Sequence, residues 1–288
     1  MRACDTGRQS PCGRRGAGIE RRLNADESYS RSGREYFMNP TFRDAAKVPA
    51  ITLGFWVIKI LATTLGETGG DAVSMSMGLG YLAATGLFLV IFLASVAAQI
   101  RSETFHPALY WTTIVATTTV GTTLADFATR SIGIGYAGGS ILLAALLATT
   151  LALWHRSLGT VSATTVATPR AEAFYWVTIM FSQTLGTALG DWTADNAGLG
   201  YEGAALVFGT LLAFVAAGYR WTRISRTALF WAAFILTRPL GAVVGDFLDK
   251  PTADGGLALS RFSASAALLA LIVAGILLLP QRAARTPH

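Results

Sequence analysis

The chain has 288 residues, 52% of them hydrophobic and 14% charged, and its mean hydropathy is +0.47. That is too apolar for an ordinary soluble domain and indicates a polytopic membrane protein. The formal net charge of +6 comes without a basic patch interleaved with aromatics, so nucleic acid is not an expected partner.

Residues 1–44 are rich in Arg, Ser, Gly and Asn, lack apolar periodicity, and are expected to form a disordered basic tail. They have no apolar middle segment of a secretory signal, and Met38 offers an alternative start, with the preceding residues a gene-model extension. Cys4 and Cys12 both lie in this tail, which leaves no cysteine for a disulfide, thiolate or redox site in the rest of the chain.

Eight apolar runs follow, at about 49–70, 80–99, 108–126, 136–154, 173–191, 203–219, 228–246 and 262–279. Each is close to the roughly 20 residues needed to cross a bilayer core, and none alternates as a membrane strand would. The expected fold is therefore all-α: a membrane domain over 45–280 with eight transmembrane helices, then a cytoplasmic tail, 281–288.

The runs pair into repeats, 48–100, 105–156, 170–220 and 225–280. Their first halves read "FWVIKILATTLGETGGD" (55–71), "YWTTIVATTTVGTTLAD" (110–126), "YWVTIMFSQTLGTALGD" (175–191) and "FWAAFILTRPLGAVVGD" (230–246). An Asp follows a Trp by fifteen residues in every copy, and the tryptophans Trp56, Trp111, Trp176 and Trp231 are 55, 65 and 55 residues apart. Three copies continue to "GLGY" (78–81), "GIGY" (133–136) and "GLGY" (198–201), while the fourth gives "DGGLALS" (254–260). With two helices per repeat, every copy has the same orientation, so four tandem hairpins stand in a parallel, quasi-symmetric arrangement about the membrane normal. Each Trp is expected in the aromatic belt at the inner interface, about 22 Å from its Asp at 1.5 Å per residue.

This four-fold pattern resembles a family of bacterial predicted membrane-anchored proteins with four tandem copies of a short membrane repeat of unknown function. The resemblance covers about residues 47–280. It implies an eight-helix integral membrane protein and brings no agreed substrate or reaction.

Small residues recur at a spacing of four: Gly66 and Gly70, Gly121 and Ala125, Gly186 and Gly190, Gly241 and Gly245. Such pairs let helix backbones approach closely in lipid, and helix packing is their expected role. The acids Asp71, Asp126, Asp191 and Asp246 admit two readings. Each either caps the turn that follows or joins the others, with Glu67, in a ring that attracts or binds a cation. Lys59 and Arg238 break the symmetry inside the first helices of their repeats and, with Gln183, are candidates for intramembrane countercharges or gates. A buried base calls for an acid partner, expected from a neighbouring repeat, with snorkelling to the interface the alternative for Lys59. Hydroxyls at Thr63, Thr64, Thr118, Thr119, Ser182, Thr184 and Thr237 either line an interior polar path or bond their own helix carbonyls.

Arg101, Arg156, Arg170, Arg220, Arg223, Arg226, Arg282 and Arg285 fall on one side of this topology, and the repeat acids fall on the other. The positive-inside rule then puts both termini in the cytoplasm and the acids outside, in a bacterial inner membrane. No phosphate loop, nucleophile elbow or paired-histidine motif is present, so catalysis is not expected and no cofactor is called for. A bound ion would have oxygen ligands, favouring Mg²⁺, Mn²⁺, Ca²⁺ or a proton. The expected function is a transporter or channel for a small hard cation, with the lipid bilayer and that cation as partners and self-association allowed. The alternative is a membrane scaffold whose Asp residues are structural caps.

Overall fold

A computed structural model describes residues 47–284, and within them eight α-helices form where the apolar runs fall. They are α1 (Leu53–Asp71), α2 (Tyr81–Arg101), α3 (Pro107–Asp126), α4 (Gly135–Leu158), α5 (Pro169–Asp191), α6 (Gly200–Trp221), α7 (Arg226–Asp249) and α8 (Arg261–Leu278). No strand occurs among the described residues, only an isolated antiparallel bridge between Pro49 and Ala283. The expectations for 1–44, with Met38 and both cysteines, and for the last four residues of the C-terminal tail lie outside the described residues.

Local chemistry sets the helix ends. The hydroxyls of Thr52 and Thr168 accept hydrogen bonds from the backbone N–H groups of Phe55 and Ala171, and Pro107 and Pro169 occupy first-turn positions where a missing N–H costs nothing. After each of the first three Asp residues the helix relaxes into one π-helical turn, Ala72–Ser76, Phe127–Ser131 or Trp192–Asn196. The Gly-x-Gly that follows has positive φ at both glycines, from 65° to 79° across the three copies, a region that side chains disfavour. "GLGY" is thus the device that reverses the chain.

The helices form two layers. α1, α3, α5 and α7 make a closed inner ring, each packed on the next and α7 returning to α1. The outer helices α2, α4, α6 and α8 pack on α3, α5, α7 and α1 respectively, so each outer helix serves the inner helix of the following repeat. Short links such as Ser102–His106 and Thr222–Ser225 place α2 beside α3 and α6 beside α7. The last pairing, α8 on α1, is pinned by hydrogen bonds from Ala50 N to Arg282 O and from Ala284 N to Val48 O, both 2.8 Å.

Glycines hold the inner ring together. A Cβ on Gly66 would strike Thr118, one on Gly121 would lie 2.9 Å from the Gln183 backbone, one on Gly186 would strike Arg238, and one on Gly241 would lie 2.9 Å from the Thr63 backbone. Gly70, Gly190 and Gly245 repeat the pattern one turn later, against Thr122, Ala242 and Glu67. Each inner helix therefore lays its small-residue face on the next, which is how helices associate where lipid supplies no hydrophobic force.

Polarity is distributed inside out. Five helices, α2, α4, α6, α7 and α8, are long and apolar enough to cross a membrane, and the outer ones expose large apolar side chains such as Val90, Ile141, Leu206 and Phe214. α1, α3 and α5 match them in length at 19, 20 and 23 residues, but they bury acids, hydroxyls and an amide. An apolar perimeter around a polar centre suits a lipid environment.

One expectation is corrected. Trp111, Trp176 and Trp231 are buried rather than placed in an interfacial belt. They pack with Phe55, Tyr110, Tyr175 and Phe230 at one end of the inner ring, with ring centroids 5.1–5.7 Å apart for Phe55–Trp111, Tyr110–Trp176, Tyr175–Trp176 and Phe230–Trp231.

Candidate functional site

On the inner helices, residues spaced by four share the buried face, and counting from the repeat Trp gives a series of layers. The first holds Phe55, Tyr110, Tyr175 and Phe230, and the second Lys59, Ile114, Ile179 and Phe234. Thr63, Thr118, Gln183 and Arg238 form the third, Glu67, Thr122, Thr187 and Ala242 the fourth, and Asp71, Asp126, Asp191 and Asp246 the last. All twenty side chains are buried. One end is aromatic and closed by a Tyr110–Tyr175 hydroxyl hydrogen bond of 2.7 Å, and the other is acidic.

Arg238 joins the inner helices. The two N–H groups of its Nη2 are shared among Glu67 Oε2 on α1 at 2.9 Å, Thr122 Oγ1 on α3 at 2.6 Å and Thr187 Oγ1 on α5 at 2.5 Å, while Nη1 donates to Thr63 O at 3.3 Å. The guanidinium therefore crosses the bundle axis and touches all three other inner helices. Its carboxylate partner comes from another repeat, since residues eight apart on one helix are two turns away from each other.

The four repeat acids stand together at the far end. Carboxylate oxygens of Glu67, Asp191 and Asp246 lie within 4.8 Å of one another, as do those of Asp71, Asp246 and Asp249. Asp126 sits beside this group through Arg130, whose Nε is 2.9 Å from Asp126 and whose Nη2 is 3.6 Å from Asp191. Lys250 performs the same bridge across the ring, 3.0 Å from Asp246 and 2.8 Å from Asp71. Arg261 adds contacts to Asp249 at 3.0 Å and to Asp71 at 3.6 Å. Burial works against the Lys250 charge, but the carboxylates of Asp246 and Asp71 outweigh it and hold the ammonium pKa above its ordinary value.

These contacts bear on the capping reading. The side chains of Asp71, Asp126 and Asp191 make no cap hydrogen bond to the turn that follows, and each residue is itself helical. Their partners are bases. Asp126 Oδ1 and Asp246 Oδ1 lie within ion-pair distance of a base without hydrogen-bond alignment, and one oxygen each of Asp71, Asp191 and Asp249 has no partner. Six acids, Glu67, Asp71, Asp126, Asp191, Asp246 and Asp249, meet four bases, Arg130, Arg238, Lys250 and Arg261, leaving a formal charge of −2.

Lys59 departs from both of its expected arrangements. It is fully buried, so it does not snorkel, and among the described residues it pairs with no acid. Its Nζ stands over the Phe234 ring, 4.2 Å from the centroid. Of the hydroxyls, Thr64, Thr119, Thr184 and Thr237 bond carbonyls of their own helices, which favours helix glue over a continuous polar path. The bridging roles of Arg130 and Lys250 are not evident from the repeat alone. Their signal is a base four residues after the Asp, present in the second and fourth copies only, where it reaches its own acid and that of the next repeat.

The family description "Repeat of Unknown Function (DUF347)" matches four successive stretches, residues 54–105, 109–160, 174–225 and 229–283. The chain belongs to this repeat family. Successive DUF347 matches begin 55, 65 and 55 residues apart, the intervals of the tryptophans. Each DUF347 repeat thus comprises one inner helix, the acid, the turn and one outer helix. No curated protein and no solved structure matches the chain.

Proposed function

We propose that this DUF347 protein spans a bacterial inner membrane eight times, with both termini cytoplasmic and the acidic end outside, and that it carries a small hard cation. The observation that supports this reading most is the trio Glu67, Asp191 and Asp246, contributed by α1, α5 and α7 and meeting within 4.8 Å. Buried carboxylates in excess of their bases are costly, and a cation with oxygen ligands, or protons, relieves that cost. Asp71, Asp246 and Asp249 offer a second set at the same end.

The geometry favours an occluded carrier over an open channel. Arg238 crosses the axis just below the acids, and the aromatic layer closes the opposite end. A fixed cation in the path opposes cation passage until it moves. Transfer requires release of the Arg238–Glu67 pair, and a cation arriving at Glu67, Asp191 and Asp246 competes for the same carboxylate. The scaffold alternative, with the acids as turn caps, lacks the cap hydrogen bonds it requires.

Reconstitution in proteoliposomes and a panel of Mg²⁺, Mn²⁺, Ca²⁺ and proton fluxes test the reading. Asp191→Asn and Asp246→Asn are expected to bring flux to background while the protein stays folded, and Asp126→Asn to reduce it less. Full flux in the triple variant Glu67→Gln, Asp191→Asn, Asp246→Asn would reject the site, and absence of flux for every cation would reject the function.

A further inference from the structure

The carboxylates explain the acidic end, but a second set of buried polar atoms lies deeper. Lys59 Nζ, Arg238 Nε, Thr118 Oγ1, Ser182 Oγ and both side-chain polar atoms of Gln183 have no hydrogen-bond partner, and all five side chains are fully buried. Every other orphaned side-chain atom among the described residues of the inner helices is a carboxylate oxygen. Buried polar groups in folded proteins are nearly always partnered, so a concentrated group of exceptions points to an absent ligand.

Layer counting puts the five in a band two adjacent layers deep. Thr118, Gln183 and Arg238 are each seven residues after the repeat Trp, Ser182 is six after, and Lys59 is three after, one turn nearer the aromatic end. Contacts between the helices agree. Thr63, one turn after Lys59, hydrogen-bonds Thr237 O and accepts from Arg238, while Phe234 beneath Lys59 lies one turn before Arg238.

The hydroxyls stand out by contrast. Thr64, Thr113, Thr119, Thr178 and Thr184 all bond the carbonyl four residues back, the ordinary outlet for a helical hydroxyl in an apolar setting. Thr118 and Ser182 leave theirs free.

The donor set selects the ligand's charge. Two of the five residues are basic, the others supply amide N–H or O–H groups, and Glu67, the carboxylate against Arg238, already accepts from Arg238 and Thr122. An ammonium buried against an aromatic ring without a counter-ion is unfavourable, and an anion both neutralises it and accepts from the surrounding donors. The size limit comes from the glycines. Gly66 on Thr118, Gly121 on Gln183 and Gly186 on Arg238 bring the helices into close contact at this same level, so a ligand held there must be small, which favours a monatomic ion over a phosphate or carboxylate ligand.

We infer that the middle of the inner ring binds a small monatomic anion of the halide class, held by Lys59, Gln183, Thr118 and Ser182 beneath the Arg238 guanidinium. This site is distinct from the carboxylates of the proposed cation site and stands whether or not that reading holds.

The full chain, purified in detergent and equilibrated in gluconate, is titrated with sodium chloride and with sodium bromide while thermal unfolding is followed. Wild type and Asp191→Asn are expected to show the same saturable rise in melting midpoint. Lys59→Met is expected to lose the halide response whatever its own midpoint. The double variant Thr118→Val, Ser182→Ala is expected to raise the half-saturating bromide concentration about a hundredfold or more, the scale of two lost hydrogen bonds to a charged group. Anomalous diffraction from bromide-soaked crystals of the wild type is expected to place a peak beside Lys59 Nζ. A wild type indifferent to halide, an undiminished response in Lys59→Met, or a bromide map without a peak in this band would overturn the assignment.

Discussion

The two ends of the inner ring are built from the same four helices and the same four-residue spacing, yet they solve opposite problems. At the aromatic end Phe55, Tyr110, Tyr175 and Phe230 fill the axis with rings, and two hydroxyls satisfy each other at 2.7 Å. At the acidic end Glu67 and the repeat Asp residues crowd charge into buried positions and leave carboxylate oxygens unpartnered. Apolar packing is locally complete, whereas the acids are balanced through bases shared between repeats: Arg130 and Lys250 each reach their own Asp and that of the next repeat, and Glu67 is met by Arg238 from the fourth copy. The contrast teaches that repeat symmetry sets the scaffold and symmetry-breaking residues set the chemistry. Every copy supplies an Asp, but only the first supplies Glu67 and only the fourth supplies Arg238.

The sharpest test of that contrast is Arg238→Ala. It leaves Glu67 as an uncompensated buried charge and removes the hydrogen bonds to Thr122 and Thr187, so a stability loss of about 3–5 kcal/mol is expected. Adding Glu67→Gln in the same chain removes the stranded charge and should recover most of the loss. Equilibrium unfolding of the three variants in detergent measures both. An Arg238→Ala protein as stable as wild type would mean that the acidic end does not depend on the borrowed cation.

Next in size are the contacts that set the spacing between the ends. A Cβ at Gly241 meets the Thr63 side chain and stands 2.9 Å from its backbone carbon, which cannot rotate away. Gly241→Ala is therefore expected to cost about 1–3 kcal/mol, as over-packing of a tight core does. Gly190→Ala meets its nearest neighbour, Ala242 Cβ, at 3.1 Å and should cost less. Thermal unfolding of the pair gives the ranking, and a reversed order would contradict the inner-ring packing.

Much of this was legible in the sequence because membrane physics writes large signals. Apolar runs of helix length marked all eight helices to within a few residues, and the Trp-to-Asp interval marked the repeat. Glycines spaced by four announced close helix contact. What they could not specify was the partner, since small residues fit any close neighbour, and the outer helices turn out to pack on the following repeat. That three of the four repeat tryptophans, Trp111, Trp176 and Trp231, are buried was illegible for a similar reason: an indole at a helix start suits an interface and a buried layer equally well, and only Trp56 is left half-buried. Lys59 was the least readable. A base in a span implies an acid partner only if one can reach it, and the facing residue in the fourth copy is Phe234.

The smallest effect belongs to the aromatic end, and it completes the comparison. Tyr110→Phe removes one member of the 2.7 Å hydroxyl pair and leaves Tyr175 with a fully buried hydroxyl and no partner there. A loss of about 1 kcal/mol is expected, the usual net worth of one such hydrogen bond. Ion flux through reconstituted protein should stay at the wild-type level, because this layer seals the ring without meeting the acids. If Tyr110→Phe changed flux while barely changing stability, the aromatic layer would be acting as a second gate, and the division of the bundle into a packing end and a charged end would fail.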